Sequence, residues 1–341
     1  MVHRFARRAT DPLAPYVGQT ILLAVIYTTV ARLGLQLDPV NRFATFVWPP
    51  TGVSLAALLL FGPRLWPGIA IGALIANSWT GAPLPVACGI ALGNTLEAVV
   101  GAAVLRRIPG FRVALDRVVD VLGLVALAAL LSTIVSATIG VASLAIGGVV
   151  PWEGVGTTWM AWWQGDAIGD LVVAPVLLTW AGMRWVVLVP RRVGEAVALA
   201  AALAVASFLL FSGDQAAGAG ITAFRQPVTL LPLMIWAALR FGPRGVTGAT
   251  LLVSAVAVWR TALGEGPFVR VELHQSLALL QAFMGVVAVT FLVLSAVTGE
   301  RERADRDRVE LAHRERLARA HAVELERLRG QGPAPSNASE N

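Results

Sequence analysis

The sequence contains no lysine, so all 27 of its basic residues are arginines, and it has only one cysteine and four histidines. A glycine-rich loop that binds phosphate depends on a lysine, and the four histidines lack the spacing of metal ligands. The single cysteine, Cys88, excludes a disulfide within the chain. These absences predict a protein that is not an enzyme and that carries no metal and no cofactor.

Charge of either sign is also scarce, because only 14% of the 341 residues are charged while 56% are hydrophobic. Soluble domains carry about a quarter charged residues. The net charge is +6, but the arginines lie at the ends of apolar runs and in the C-terminal tail. A basic groove with interleaved aromatic residues is therefore missing, which argues against nucleic acid as a partner. The composition predicts a protein embedded in the lipid bilayer.

Long apolar runs fill most of the chain, and a helix needs about 20 such residues to cross a membrane. They predict an all-α, polytopic transmembrane helical bundle of about ten helices, with eight as the lower count. The predicted spans are 17–37, 46–62, 65–80, 84–105, 118–147, 159–182, 193–212, 226–241, 244–263 and 273–298. The predicted regions are a cytoplasmic N-terminal segment (1–16), a membrane domain (17–298), a cytoplasmic helical linker (299–329) and a disordered tail (330–341).

The distribution of arginines predicts the orientation of these spans. With the N-terminus inside, thirteen arginines fall on the inner side and four on the outer side, with Arg32 near the outer end of the first helix. This asymmetry is what the positive-inside rule expects. An even number of spans then returns the C-terminus to the same side, so both termini are predicted to be cytoplasmic.

An internal repeat is visible in the strings Phe61–Arg64 and Phe241–Arg244, which both read Phe-Gly-Pro-Arg. Each string ends one predicted helix and begins another, and six predicted crossings separate the two copies. The two helix pairs would therefore share one orientation, as a parallel repeat. Repeats of this kind occur in transporters, which keeps a small-molecule or ion transporter open as an alternative function.

Charged residues within predicted spans are candidates for function, and here they are Glu97, Asp166 and Asp170. Glu97 follows Gly89 and Gly93 at intervals of four, and Asn94 lies beside it. We predict a buried polar site where the fourth and sixth predicted helices meet, with Glu97 and Asp170 at one depth. One carboxylate would then hold a proton, or a cation or cationic ligand would bridge them. The alternative is that these groups only hold helices together, and for Asp166 an ion pair with Arg32 is the favoured prediction.

Three strings of residues resemble the first-described MASE family of membrane-associated sensor domains. They are Trp48-Pro49-Pro50-Thr51-Gly52 with the Phe61–Gly68 segment, Gly93-Asn94-Thr95-Leu96-Glu97-Ala98, and Trp162-Trp163-Gln164-Gly165-Asp166 through Pro175. The resemblance implies a sensory domain of the bacterial inner membrane that usually precedes a histidine kinase of a two-component system or a cyclic-di-GMP enzyme. It adds these candidate ligand-binding residues to Glu97, Asn94, Asp166 and Asp170: Trp48, Pro49, Pro50, Thr51, Trp162 and Trp163.

The tail after Gly299 is short for a kinase or cyclase domain, so a separate output partner is expected. Val297, Ala304, Leu311, Ala318 and Leu325 recur every seven residues. This stripe leaves two interpretations open, a coiled coil that forms a homodimer and a solvated charged helix. The favoured function is a membrane sensor that transmits through this helix, against a transporter or a structural assembly partner.

Overall fold

The computed structural model of the protein describes residues 13–36, 46–181, 190–213 and 226–330. Within these ranges every regular element is helical. Ten α-helices follow one another: α1 Leu13–Gln36, α2 Pro49–Phe61, α3 Trp66–Ser78, α4 Leu84–Leu105, α5 Val118–Gly123, α6 Thr133–Ile146, α7 Val155–Ala181, α8 Pro190–Phe211, α9 Leu231–Ala262 and α10 Leu273–Gly330. The predicted all-α class is confirmed.

Six helical stretches of the described residues are long and apolar enough to cross a membrane. They are Leu13–Gln36, Leu84–Leu105, Val118–Ile146, Arg192–Phe211, Pro227–Ala262 and His274–Ala322. The chain is therefore a multi-pass membrane protein. Helix α7 has 27 residues and carries Asp166 and Asp170 at its centre. Helices α2 and α3 have 13 residues each, about 20 Å, so these two predicted spans are shorter than the roughly 30 Å hydrocarbon core.

Both Phe-Gly-Pro-Arg strings interrupt the helix that contains them. Gly62 ends α2 with a φ of 105°, and Gly242 breaks α9 with a φ of 61°. Glycine adopts such angles without steric cost, and the proline that follows fixes the start of the next helical segment. The predicted spans 226–241 and 244–263 are thus two arms of one broken helix, matching the α2–α3 pair at the other copy.

The fifth predicted span is one continuous rod that changes its winding. Helix α5 passes into a π-helical segment, Leu124–Ser132, which passes into α6. A π-helix is rare and often lies beside a functional site. At its end the hydroxyls of Ser132 and Thr133 donate to the carbonyls of Ala128 and Ala129.

The short helix α2 lies at the centre of the bundle, since every residue from Pro50 to Leu59 is buried. It starts at two prolines, which suit the first turn because their missing N–H groups need no partner there. It packs against α1, α4 and α7. Any side chain at the N-terminal end of α2 therefore faces the interior of the membrane domain.

The last helix joins the membrane domain to the tail without a break. Helix α10 has 58 residues, roughly 90 Å, and its membrane half packs on α7 and α9. From Glu302 to Ala322 nearly every residue is exposed. Gly330, predicted as the first residue of the tail, still belongs to α10, and residues 331–341 lie outside the described residues, as do residues 1–12.

Candidate functional site

The segment that leads into α2 is fastened to α7 by two hydrogen bonds. The backbone N–H of Trp48 donates to the carbonyl of Gly165 over 3.0 Å. One turn further on, the Thr51 hydroxyl donates to Oδ1 of Asp166, also over 3.0 Å. Both Thr51 and Asp166 are buried, so this bond forms away from the lipid and fixes the carboxylate of Asp166 against the start of α2.

Glycines allow the close approach of α2 to α7. A Cβ added to Gly52 would lie 2.4 Å from the carbonyl oxygen of Gly169, and one added to Gly169 would lie 2.3 Å from the carbonyl oxygen of Trp48. Any larger residue would collide with backbone atoms, which cannot rotate away. The contact between the two helices therefore depends on both glycines, and with it the bond from Thr51 to Asp166.

A second chain of hydrogen bonds joins four helices. Nδ2 of Asn94 in α4 donates to the Tyr27 hydroxyl in α1 over 2.9 Å. Its Oδ1 accepts from the Ser136 hydroxyl in α6 over 2.7 Å, and that hydroxyl accepts from Nε1 of Trp162 in α7 over 3.1 Å. All four side chains are buried. Buried polar groups need such partners, and here each one satisfies its neighbour.

The carboxylates beside this hydrogen-bond network, in contrast, have oxygens without hydrogen-bond partners. Glu97, Asp166 and Asp170 are at most 2% exposed. Both oxygens of Glu97, Oδ2 of Asp166 and Oδ1 of Asp170 have no hydrogen-bond partner among the described residues. The three groups are near enough that the charges of Asp166 and Asp170 both act on Glu97. A buried charge without a partner is costly, so this cluster can hold protons or a cationic ligand.

The glycines of α4 place Glu97 at this point. Added Cβ atoms on Gly89, Gly93 and Gly101 would contact Ser143, Ile139 and Ser132 of the π–α6 rod. Glu97 lies on the same face, between Gly93 and Gly101. The backbone of α4 packs mainly on α2, α3 and the π–α6 rod, and the fourth and sixth predicted helices, α4 and α7, interact through their carboxylates. Glu97 of α4 therefore faces Asp166 and Asp170 of α7 inside the bundle.

We call these eight residues the polar cluster: Tyr27, Thr51, Asn94, Glu97, Ser136, Trp162, Asp166 and Asp170. No group of three or more His, Cys, Asp or Glu side chains within the described residues has the arrangement of a metal site.

A family model described as MASE1 matches residues 19–302, which include the whole polar cluster. The chain belongs to the MASE1 family. The resemblance predicted from the sequence is confirmed, and the family is one of membrane-associated sensor domains. No curated protein and no solved structure matches the chain.

The family strings have distinct positions in this MASE1 domain. Trp48 supplies the backbone bond to α7, and Pro49 and Pro50 start α2. The polar side chains of the strings, Thr51, Asn94 and Asp166, bond within the polar cluster, and Trp162 joins them through Ser136. The family strings therefore contain residues that position α2 against α7 as well as polar residues of the cluster.

One expectation about the MASE1 domain is wrong, and the candidate ligand residue Trp163 lies apart from the polar cluster. The Asp166–Arg32 ion pair does not form: Arg32 lies 4.4 Å over the ring of Trp79, while Asp166 accepts from Thr51. Trp163, a predicted ligand residue, makes its contacts outside the polar cluster. Its indole N–H donates to the carbonyl of Leu130 in the π segment, and its ring stacks on Trp159.

Tyr27 and Ser136 are the members of the polar cluster that sequence reasoning missed. Tyr27 is one of only two tyrosines in the chain, and its position within an apolar span was a usable signal. Ser132, Ser136 and Gly140 repeat at intervals of four, a pattern of small residues that marks helix contacts in membranes. Gln281 of α10 was also missed: its side chain is 3% exposed, and Nε2 donates to the carbonyl of Phe46.

Proposed function

We propose that this protein is a sensory, signal-coupling membrane protein that binds a cationic ligand or protons in the polar cluster. In this proposal α10 carries the resulting change to a separate kinase or cyclase on the cytoplasmic side. The observation that carries the proposal is the continuity of α10. One unbroken helix runs from beside the polar cluster to Gly330.

Contacts near the start of α10 connect it to the residues that hold Asp166. Gln281 donates to the carbonyl of Phe46 over 3.2 Å, two residues before Trp48. One turn further along α10, a Cβ added to Gly285 would lie 3.4 Å from the side chain of Ile168, between Asp166 and Asp170 in sequence. A shift of α7 or of the Phe46–Trp48 segment would therefore press directly on α10.

A second set of contacts, the clasp, holds α10 where it leaves the membrane domain. Oε1 of Glu300 accepts from the backbone N–H of Val118 over 3.0 Å, and Arg303 bonds the carboxylate of Asp116. Arg117 in the same loop pairs with the buried Asp120, and this bond raises the pKa of the Arg117 guanidinium. Movement of α10 would have to break the bonds of the clasp.

The exposed surface of the tail suits binding to a helical partner. Leu311 of the seven-residue stripe is 62% exposed, Ala304 and Ala318 of the same stripe are also exposed, and charged residues surround them. An apolar stripe on an otherwise charged helix suits pairing with a second helix, from another copy of the chain or from the output protein. The orientation with both termini in the cytoplasm, which the arginine distribution favours, would present this stripe to soluble kinases and cyclases.

The test measures the tail while the polar cluster is titrated. The single native cysteine, Cys88, is replaced by alanine, and spin labels are placed at Arg107 and Leu311 of the full-length protein in nanodiscs. A pH titration and an addition of tetramethylammonium serve as the two probes. We expect the distance distribution between the labels to change with at least one probe and to stay fixed in Glu97→Gln.

A matched control and a second variant complete the experiment. Glu153→Gln changes an exposed carboxylate far from the polar cluster and should leave the response intact. Arg303→Ala removes the bond to Asp116 and should broaden the distance distribution before any probe is added, whereas Arg306→Ala, on the exposed part of α10, should not. A wild-type tail that ignores both probes, or an unchanged response in Glu97→Gln, would contradict the proposal.

One observation favours the alternative of a transporter. Helix α9 is broken at Gly242 in the same way that Gly62 separates α2 from α3, and paired broken helices are a feature of transporters. In proteoliposomes, a transporter would move labelled tetramethylammonium or protons down a gradient, and Glu97→Gln would stop the flux. A sensor would show no flux above that of empty liposomes.

A further inference from the structure

A groove runs along the lipid-facing side of the bundle between α1, α2 and α7, with a volume of about 840 Å³. Its walls are Leu22 and Ile26 of α1 and Val176 and Leu177 of α7, and its floor is Ala56 and Ala57 of α2. The lining is almost entirely apolar, and Leu22 and Ile26 are 59% and 41% exposed. Within a bilayer this groove opens towards lipid tails.

The length of the groove matches one leaflet. Along α1 the lining extends from Gln19 to Val30, which at the helical rise is about 16 Å. Half of a hydrocarbon core is about 15 Å. At one end of the groove the lining residues belong to the start of α1 and to the ends of α2 and α7. At the other end they lie deeper in the bundle, so the groove runs from one membrane surface inwards. A single acyl chain would fill it from the headgroup level to the bilayer centre.

The shallow end of the groove carries a positive charge. Phe61 and Leu65 line that end, and Arg64 lies between them with an exposed side chain. Its guanidinium has no bonding partner among the described residues, although its carbonyl accepts from the Tyr16 hydroxyl. An arginine at headgroup depth is suited to a phosphate, and Trp66 and Trp180 beside it are typical of the membrane interface.

The deep end of the groove lies against the two helices that carry Thr51 and Asp170. Val53 and Val173 line this end, two residues after Thr51 and three after Asp170. A Cβ on Gly52 would lie 2.8 Å from Cβ of Val173, so the two helices touch here. An occupant of the groove would contact both helices that position Asp166.

From this juxtaposition we propose that the groove between α1, α2 and α7 is a binding site for an anionic phospholipid of the surrounding bilayer, with its phosphate on Arg64 and one acyl chain against α2. This goes beyond the proposed function, because it assigns a second ligand to a second site. The lipid chain fills the space beside the α2–α7 contact and thereby couples the composition of the membrane to the polar cluster.

The test is photo-crosslinking of the full-length protein in nanodiscs of phosphatidylcholine. The probe is phosphatidylglycerol with a diazirine at the end of one acyl chain, and labelled residues are read by mass spectrometry of peptides. We expect labelling to be concentrated on α1, α2 and α7. Unlabelled phosphatidylglycerol should reduce this labelling, and added short-chain phosphatidylcholine should be a several-fold weaker competitor. Arg64→Gln should remove that preference for the anionic lipid.

Two variants fill the groove and one serves as control. Ala57→Trp fills the floor, and Leu22→Trp narrows the exposed wall without disturbing packing, so it remains informative if the first variant does not fold. Each should lower labelling of the groove several-fold, whereas Val205→Trp on the exposed face of α8 should not. Labelling spread evenly over all lipid-facing helices, unchanged labelling in both groove variants, or crosslinks to a second protein chain in the groove would overturn the proposal. Because the readout is lipid binding, its failure is distinct from a failure to signal.

Discussion

The contact between α2 and α7 makes a sharp prediction about Gly169. In the variant Gly169→Ala the new Cβ would lie 2.3 Å from the carbonyl oxygen of Trp48, against 3.4 Å or more for an ordinary contact. The carbonyl oxygen is part of the backbone and the Cβ is attached directly to it, so neither atom can rotate away. The helices must therefore separate by about 1 Å to relieve the overlap. A separation of that size would lengthen the 3.0 Å bond from Thr51 to Asp166 beyond hydrogen-bonding distance.

The expected loss of stability follows from two opposing effects. Replacing glycine by alanine within a helix gains about 0.5–1 kcal/mol from backbone entropy. Overpacking of a well-packed interior costs about 1–3 kcal/mol, and the lost bond between Thr51 and Asp166 adds about 0.6 kcal/mol on the scale of membrane proteins. The net effect should be a destabilisation of about 0.6–3 kcal/mol.

Gly156 in the same helix provides the matched control. A Cβ added there meets nothing within 4 Å, so Gly156→Ala should be neutral or stabilise by up to about 1 kcal/mol. Thermal unfolding of the three proteins in the same detergent, followed by tryptophan fluorescence, measures the difference. A Gly169→Ala protein that unfolds at or above the temperature of Gly156→Ala would refute the close contact between α2 and α7.

Two further predictions concern the ends of the helices. Reporter fusions on the inner side should report cytoplasm at Thr10, Gly110, Met183 and Gly299. Fusions on the outer side should report the opposite at Gly81, Gly154 and Gly266, and an outside signal at Gly110 would contradict the predicted orientation because the densest group of arginines lies there. In the tail, cysteine at Leu311 or Ala318 should crosslink two chains more readily than cysteine at Arg308 or Arg316. Equal crosslinking at all four positions would favour the solvated helix.

Much of the helical architecture could be predicted, because lipid imposes strong rules on sequence. Apolar length and the Phe-Gly-Pro-Arg strings predicted the helices and their breaks, and the breaks follow from the backbone freedom of Gly62 and Gly242. Span length was less predictable. The run 46–62 reads as a full span by composition, but Pro49 and Pro50 delay the start of α2 until residue 49, so the helix is too short to cross alone.

The polar cluster was only partly predictable for a different reason. Sequence spacing places residues on one face of one helix, as with Glu97 and the glycines of α4, but it does not say which helix lies opposite. Asp166 and Arg32 have similar predicted depths, yet Thr51 occupies the position next to Asp166 and Trp79 lies under Arg32. Tyr27 and Ser136 become partners of Asn94 only through the arrangement of α1, α4 and α6.

The polar cluster has a satisfied half and an unsatisfied half, and this division predicts opposite phenotypes. Ser136 both donates to Asn94 and accepts from Trp162, so Ser136→Ala leaves two buried groups without partners. The expected cost is about 1 kcal/mol, between the 1–3 kcal/mol of an unsatisfied buried group and the smaller values found in membranes.

Glu97 should behave in the reverse way, because neither of its oxygens has a bond to lose among the described residues. Glu97→Gln removes only the capacity for charge, so thermal unfolding should stay at the wild-type temperature or rise, while the tail no longer responds to protons or tetramethylammonium. Ser136→Ala should unfold earlier and still respond. If Glu97 served only to hold helices together, both variants would lose stability and both would keep the response, so measuring unfolding and tail distance on the same two proteins decides between a ligand site and a structural contact.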